Sequence, residues 1–131
     1  MTAAATHSLQ NDIERLKSHG RDVTWPVHVE ADVHFLRSEE GGRSRPVCSG
    51  YRDQCYYEHR DWDAQQEFPD VEQVRPGDTA RALISFLSPD AHRGRVTPGM
   101  AFEVREGPRT IGHGRITRIF GWAPPTTGLR P

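Results

Sequence analysis

Lysine is nearly missing from this chain: Lys17 stands alone among 17 lysines and arginines. The other cations are arginines, whose planar forks suit bidentate contacts to carboxylate or phosphate, although a GC-rich genome leaves the same mark. Against 18 acidic residues they give a net charge of −1. A near-neutral balance offers no global basic field for nucleic acid. Cysteine is scarce too. Cys48 and Cys55 are not expected to pair in a reducing cytosol, and no further ligands stand at zinc-site spacing. Both sit among apolar residues and are expected to be buried thiols. Long hydrophobic runs are missing: none approaches the ~20 residues that span a bilayer. The first residues lack the basic-then-apolar order of a secretory signal. A cytoplasmic location without membrane contact is the expectation.

Enzyme signatures are missing as well. No G-x-x-x-x-G-K-[ST] phosphate loop, G-x-S-x-G elbow or G-x-G-x-x-G occurs. The HRDWD run from His59 to Asp63 matches the start of a kinase catalytic loop, but nothing else of that signature set accompanies it. Glu39 and Glu40 are adjacent carboxylates beside a glycine, which reads as solvated charge rather than an acid–base pair. The 7 histidines contain no H-x-x-x-H. His28 and His34 share a predicted strand face but lie about 20 Å apart at ~3.3 Å per residue, too far to share an ion. His59, His92 and His113 are isolated in sequence. Solvated histidines are expected, with no metal, no cofactor and no catalytic residue.

What is present is pattern. The 131 residues suffice for one compact domain. Residues 8–18 carry Leu9, Ile13 and Leu16 at helical spacing, and Gly20 supplies a stop, which predicts a short amphipathic helix. From Trp25 the period changes to two. Val27, Val29, Ala31, Val33 and Phe35 point one way, with His28, Glu30, Asp32 and His34 opposite. TARALISFL carries Ala80, Ala82, Ile84 and Phe86 on one face, and GMAFEVRE does the same with Met100, Phe102 and Val104. TIGHGRITRIF places Gly112, Gly114 and Ile116 together. Turn pairs Gly41-Gly42, Pro76-Gly77, Pro98-Gly99 and Gly107-Pro108 punctuate these runs. Short alternating strands with such turns predict an all-β sandwich or barrel. Glycines on the inward face of the last strand point to close backbone approach, as in a small closed barrel. The first seven residues and the tail APPTTGLRP are expected to be unstructured.

Three stretches together carry a resemblance. RSEEGGRSRPVCSGYRDQCYY, Arg37 to Tyr57, is similar to the start of the C-terminal β-barrel (domain III) of elongation factor Tu, which reads K-[DE]-E-G-G-R-H-T-P-F-F, a spacer, then Y-R-P-Q-F-Y-F. VRPGD, Val74 to Asp78, resembles the family's V-M-P-G-D. GMAFEVREGPRTIGHGRIT, Gly99 to Thr117, resembles G-L-R-F-A-I-R-E-G-G-R-T-V-G-A-G-V-V. The resemblance implies a six-stranded antiparallel closed barrel over residues 25–121, with an N-terminal extension at residues 1–24 and a Pro-rich flexible tail at residues 122–131. It also implies a GTPase domain and a second barrel that these residues do not contain, so no GTP hydrolysis is expected.

In that family the barrel grips the T-stem backbone of aminoacyl-tRNA, packs on the GTPase domain and meets an exchange factor. Carried over, the resemblance marks Glu40, Arg43, Ser44, Arg45, Arg52, Gln54, His59 and Arg60 as partner-binding. It marks Gly41, Gly42, Pro76, Gly77, Asp78, Gly107, Arg109, Gly112 and Gly114 as turn and barrel residues. Arg43 keeps the family's arginine, and Arg45 adds one. Glu58 stands where the family has a cation, and Ser88 replaces a basic residue ahead of Pro89. The scaffold is retained more faithfully than the tRNA surface. The expected function is a non-catalytic binding module that contacts tRNA, the ribosome or a translation GTPase. The alternative is an immunity, decoy or regulatory protein that mimics the barrel for a protein partner of another system. Arg43 and Arg45 are expected to be free for a partner, with Arg52 and Arg109 pairing with carboxylates such as Asp53 or Glu106.

Overall fold

A computed structural model describes residues 8–124; the expectations for residues 1–7 and 125–131 lie outside that span. One helix, α1 (Leu9–Ser18), precedes eight strands: β1 (Val29–Phe35), β2 (Val47–Cys48), β3 (Tyr51–Tyr57), β4 (Arg60–Glu67), β5 (Gln73–Val74), β6 (Thr79–Phe86), β7 (Ala101–Glu106) and β8 (Arg109–Ile119). Six of them close an antiparallel barrel in the order β1-β6-β4-β3-β7-β8, while β2 and β5 form a separate two-stranded ribbon. Closure leaves no open sheet edge in the barrel.

The period-two faces fill the barrel. Val29, Ala31, Val33 and Phe35 meet Ala82, Ile84, Phe86, Phe102, Val104 and Ile116 in one buried cluster. The inward glycines of β8 do what close packing requires. A Cβ on Gly114 would lie 2.1 Å from Cζ of Phe102, and one on Gly112 would lie 2.8 Å from the His34 carbonyl oxygen. Phe102 therefore occupies the space that a side chain at 114 would need. At the Pro76-Gly77 turn, Gly77 takes φ +96° and its N–H donates to the Phe35 carbonyl at 2.8 Å. Asp78 closes the turn by accepting from Arg75 N at 3.2 Å.

Helix α1 begins at Ser8, whose Oγ accepts from Asn11 N at 3.3 Å, a side-chain cap on an otherwise orphan donor. Its buried positions are Asp12 and Leu16. Leu16 packs with Val27 and Leu83, and Leu83 is on the outer side of β6, opposite the inward Ala82 and Ile84. Asp12 is fully buried because the Arg81 fork answers it at 2.7 and 2.9 Å. Arg81 also reaches Glu30 at 2.8 Å and Asp70 at 2.9 Å. Arg15 closes the network on Asp70 at 2.7 Å.

Several sequence expectations are corrected. Val27 is not on the barrel-facing side of β1. The strand starts at Val29, so Val27 turns to α1 and His28 enters the closed end of the barrel. His28 and Glu30 are buried rather than solvated, as is His92. Cys55 is buried as expected, but Cys48 is exposed because it lies on the outer side of the ribbon. Residues 121–124 have no regular structure, yet Trp122 stacks on His28 at 5.8 Å and His28 Nε2 donates to the Ala123 carbonyl at 2.7 Å.

Candidate functional site

The connection out of β1 builds a rim beside the β7–β8 turn. After a short 3-10 turn (Ser38–Glu40), Gly41 takes φ +95°. A Cβ on Gly42 would lie 2.2 Å from the Leu36 carbonyl oxygen. The two glycines fold the chain back on itself and return Arg43 to the barrel. Glu40 stays exposed on this turn, its Oε1 bending back to accept from Arg37 N at 2.9 Å.

Arg43 pairs with Glu106, lies over Tyr51 at 5.4 Å and donates through Nε to the Arg45 carbonyl at 3.2 Å. Tyr51 donates to the same Glu106 oxygen at 2.6 Å. Burial and this bond hold the Tyr51 phenol far above its ordinary pKa. Arg43, Ser44, Arg45, Glu106 and Arg109 line one small cleft of about 130 Å3. Gln54 braces the turn behind it, accepting from Gly107 N at 3.2 Å and donating to Asp63 at 3.3 Å.

Arg109 pairs with Glu106 as expected, but Arg43, expected to be free, takes the same carboxylate more closely. Glu106 takes Arg43 as its close partner, while Arg109 stays 3.9 Å away with 57% of its side chain exposed, against 27% for Arg43. The reason is geometric: Glu106 ends β7 on the side to which the glycine bend returns Arg43. Arg52 does not pair with Asp53 either. It donates to Gln65 at 2.9 Å and stacks on Trp25 at 4.9 Å, while Asp53 turns inward and accepts from Gln66 at 3.1 Å. Burial raises the Asp53 carboxyl pKa to about 8.

The remaining expected residues are elsewhere. His59 and Arg60 sit at the β3–β4 hairpin, with Arg60 over Trp62 at 4.2 Å. Tyr51 at the rim and Tyr57 at the hairpin are opposite ends of β3, about 20 Å apart at ~3.3 Å per residue. Arg43, Ser44, Arg45, Gln54 and Arg109 are thus brought together; Arg52, His59 and Arg60 are not. Glu106 and Tyr51 are the rim residues that sequence reasoning missed as a pair. Their signal was Glu106 beside the Gly107-Pro108 turn, facing an aromatic across β3. His34 and His113, isolated in sequence, are cross-strand partners. Among the described residues no group of three metal-ligating side chains is placed to hold an ion.

The fold, the glycine bend and the braced turn agree with one family. The profile described as Elongation factor Tu C-terminal domain matches residues 23–120. The chain belongs to that family. The match spans the whole barrel, Arg81, Glu30 and Asp70 included, and leaves α1 with Asp12 and Arg15 outside it. The described residues contain no GTPase domain, and none of their helices is long and apolar enough to cross a membrane.

Proposed function

We propose that this barrel is a non-catalytic binding module of translation-factor type, whose rim meets the phosphate backbone of an RNA in the translation machinery. The observation that carries the reading is the pair Arg45 and Arg109. Both flank Glu106 in one cleft, on turns held by glycine geometry and by Gln54; Arg45 has no carboxylate partner among the described residues, and Arg109 meets Glu106 only at 3.9 Å. Their backbone is fixed by these turns while their exposed guanidinium forks are left to reach outward, and such forks suit the oxygens of a phosphate. Arg43 contributes less, since Glu106 already neutralises it. The protein-partner alternative draws on that same neutralisation, which makes the rim less cationic than a tRNA grip requires.

Fluorescence anisotropy with labelled tRNA across a salt series tests this. Two phosphate contacts give weak binding with a log–log salt slope of roughly −2. Arg45→Ala with Arg109→Ala should flatten the slope toward zero and leave the fold intact. Salt-independent binding, or a slope unchanged in the double variant, would reject the RNA reading in favour of a protein partner. Thermal-shift titration with GTP and magnesium should give no stabilisation, consistent with a module that carries no phosphate loop.

A further inference from the structure

The β3–β4 hairpin tip carries a conformational cost that its sequence could have avoided. Glu58 and His59 take φ +51° and +64° and are the non-glycine residues with positive φ among those described. Two consecutive left-handed residues define the type I′ hairpin turn, for which Asn-Gly is the favoured pair. Residues with a Cβ other than Asn, Asp and His adopt this conformation at a cost, which here falls mainly on Glu58. Backbone strain of this kind persists where the side chains serve another purpose. Neither side chain makes a hydrogen bond or ion pair within the described structure, and both are exposed. Neither therefore has a structural task at the tip.

What they do have is a cleft. The tip forms one wall of a cavity of about 480 Å3, whose floor is Tyr57, Met100 and Phe102 and whose flank is Tyr56. Glu58 and Glu103 both line it. Glu103 uses one oxygen for Thr110 Oγ1, at 2.6 Å, and has the other left for a ligand. His59 and His113 also line the cleft, and no lysine or arginine does; aromatic walls with two carboxylates suit a flat, delocalised cation. The protein already shows the same chemistry next door. Arg105 lies over the Tyr56 ring at 4.2 Å while Asp61 faces its guanidinium at 3.7 Å.

We propose that this cleft receives an arginine side chain presented by a protein partner, with Glu58 and Glu103 taking the guanidinium edge. The site is separate from the Arg43–Arg109 rim and does not rest on the RNA reading. The hairpin strain is the structural cost of presenting Glu58 and His59 at the cleft mouth.

The test uses the full chain labelled with 15N and blocked Gly-Arg-Gly, Gly-Lys-Gly and Gly-Glu-Gly peptides. Saturable shifts at the amides of Tyr56, Glu58, His59 and Glu103 are expected with the arginine peptide, weaker ones with lysine and none with glutamate. Glu103→Gln should weaken arginine binding about tenfold, through loss of a charge-assisted contact. Replacing the tip by Glu58→Asn with His59→Gly should raise Tm by about 3 °C or more, because the strain is relieved, while binding is lost. No saturable arginine shift, or equal shifts with the glutamate peptide, would overturn the proposal. So would a tip variant that binds unchanged or that melts lower than the parent, since the tip side chains would then be structural.

Discussion

At the scale of single residues, Glu106 decides the character of the rim. It accepts from both Arg43 and Tyr51, so removing Arg43 leaves a half-buried carboxylate with one partner and uncovers the Tyr51 ring. Arg43→Ala is expected to cost about 1–2 kcal/mol, more than an exposed ion pair is worth because packing is lost with the charge. Arg109→Ala removes a mostly exposed group 3.9 Å from its acid and should cost at most ~0.5 kcal/mol. Urea unfolding of the two variants checks the order; a larger loss for Arg109→Ala would restore the assignment that the sequence alone favours. That assignment was reasonable, because SEEGGRSRP is polar throughout and shows no carboxylate for Arg43. The partner is 63 positions away and became a neighbour only when the barrel closed. Gly112 and Gly114 were legible for the opposite reason: their period-two phase against Ile116 is local information, and it named the inward face correctly.

At the scale of elements, α1 shows how a helix can be readable while its attachment is not. Leu9, Ile13 and Leu16 with the Gly20 stop located it, and the helix is Leu9–Ser18. Its deepest residue, however, is the charged Asp12. No periodicity rule expects a buried aspartate, since the compensating Arg81 lies in β6. The ribbon strands β2 and β5 were equally hidden, being two residues each and too short to show a period. Because the barrel closes without α1, deleting residues 8–20 should retain a β-sheet circular dichroism spectrum and one cooperative transition at lower Tm. The loss comes from exposing Leu83 and Val27. Leu16→Ala isolates that term and should cost about 2–4 kcal/mol by cavity formation. If the deletion abolishes cooperative melting, α1 is part of the folding unit rather than an addition to it.

At the scale of the whole molecule, buried ionisable groups at two places set opposite pH slopes. Inside the closed end, His92 is fully buried, bonded through Nδ1 to the Tyr57 hydroxyl at 2.6 Å, and burial lowers its pKa to about 4. His28 is also lowered by burial, and its Nδ1 accepts from Phe86 N at 2.9 Å, a bond that protonation would break. Arg95 adds to the lowering at His92. A depressed histidine contributes stability above its unfolded pKa of about 6.5 and loses it as pH falls toward the folded value. Near the rim, Asp53 has the reverse sign. Its folded pKa is raised from 3.8 to about 8 by burial, with Glu106 and Asp63 adding to the rise. Stability from its neutral form is present below the unfolded value and is lost as pH climbs toward 8. Below the unfolded histidine value of about 6.5 the histidines make stability fall on acidification, and Asp53 makes it fall as pH climbs toward 8. The wild-type Tm should therefore be highest between these two limbs. Asp53→Asn keeps an acceptor for Gln66 and removes the ionisation, so it should flatten the alkaline limb and raise Tm at pH 8. His92→Gln should flatten the acid limb at some cost in packing against Trp62 and Phe86. Differential scanning calorimetry of the three proteins from pH 4 to 9 reads both limbs at once. An alkaline limb unchanged in Asp53→Asn would show that the carboxylate is already ionised inside the barrel at neutral pH, with a partner other than Gln66.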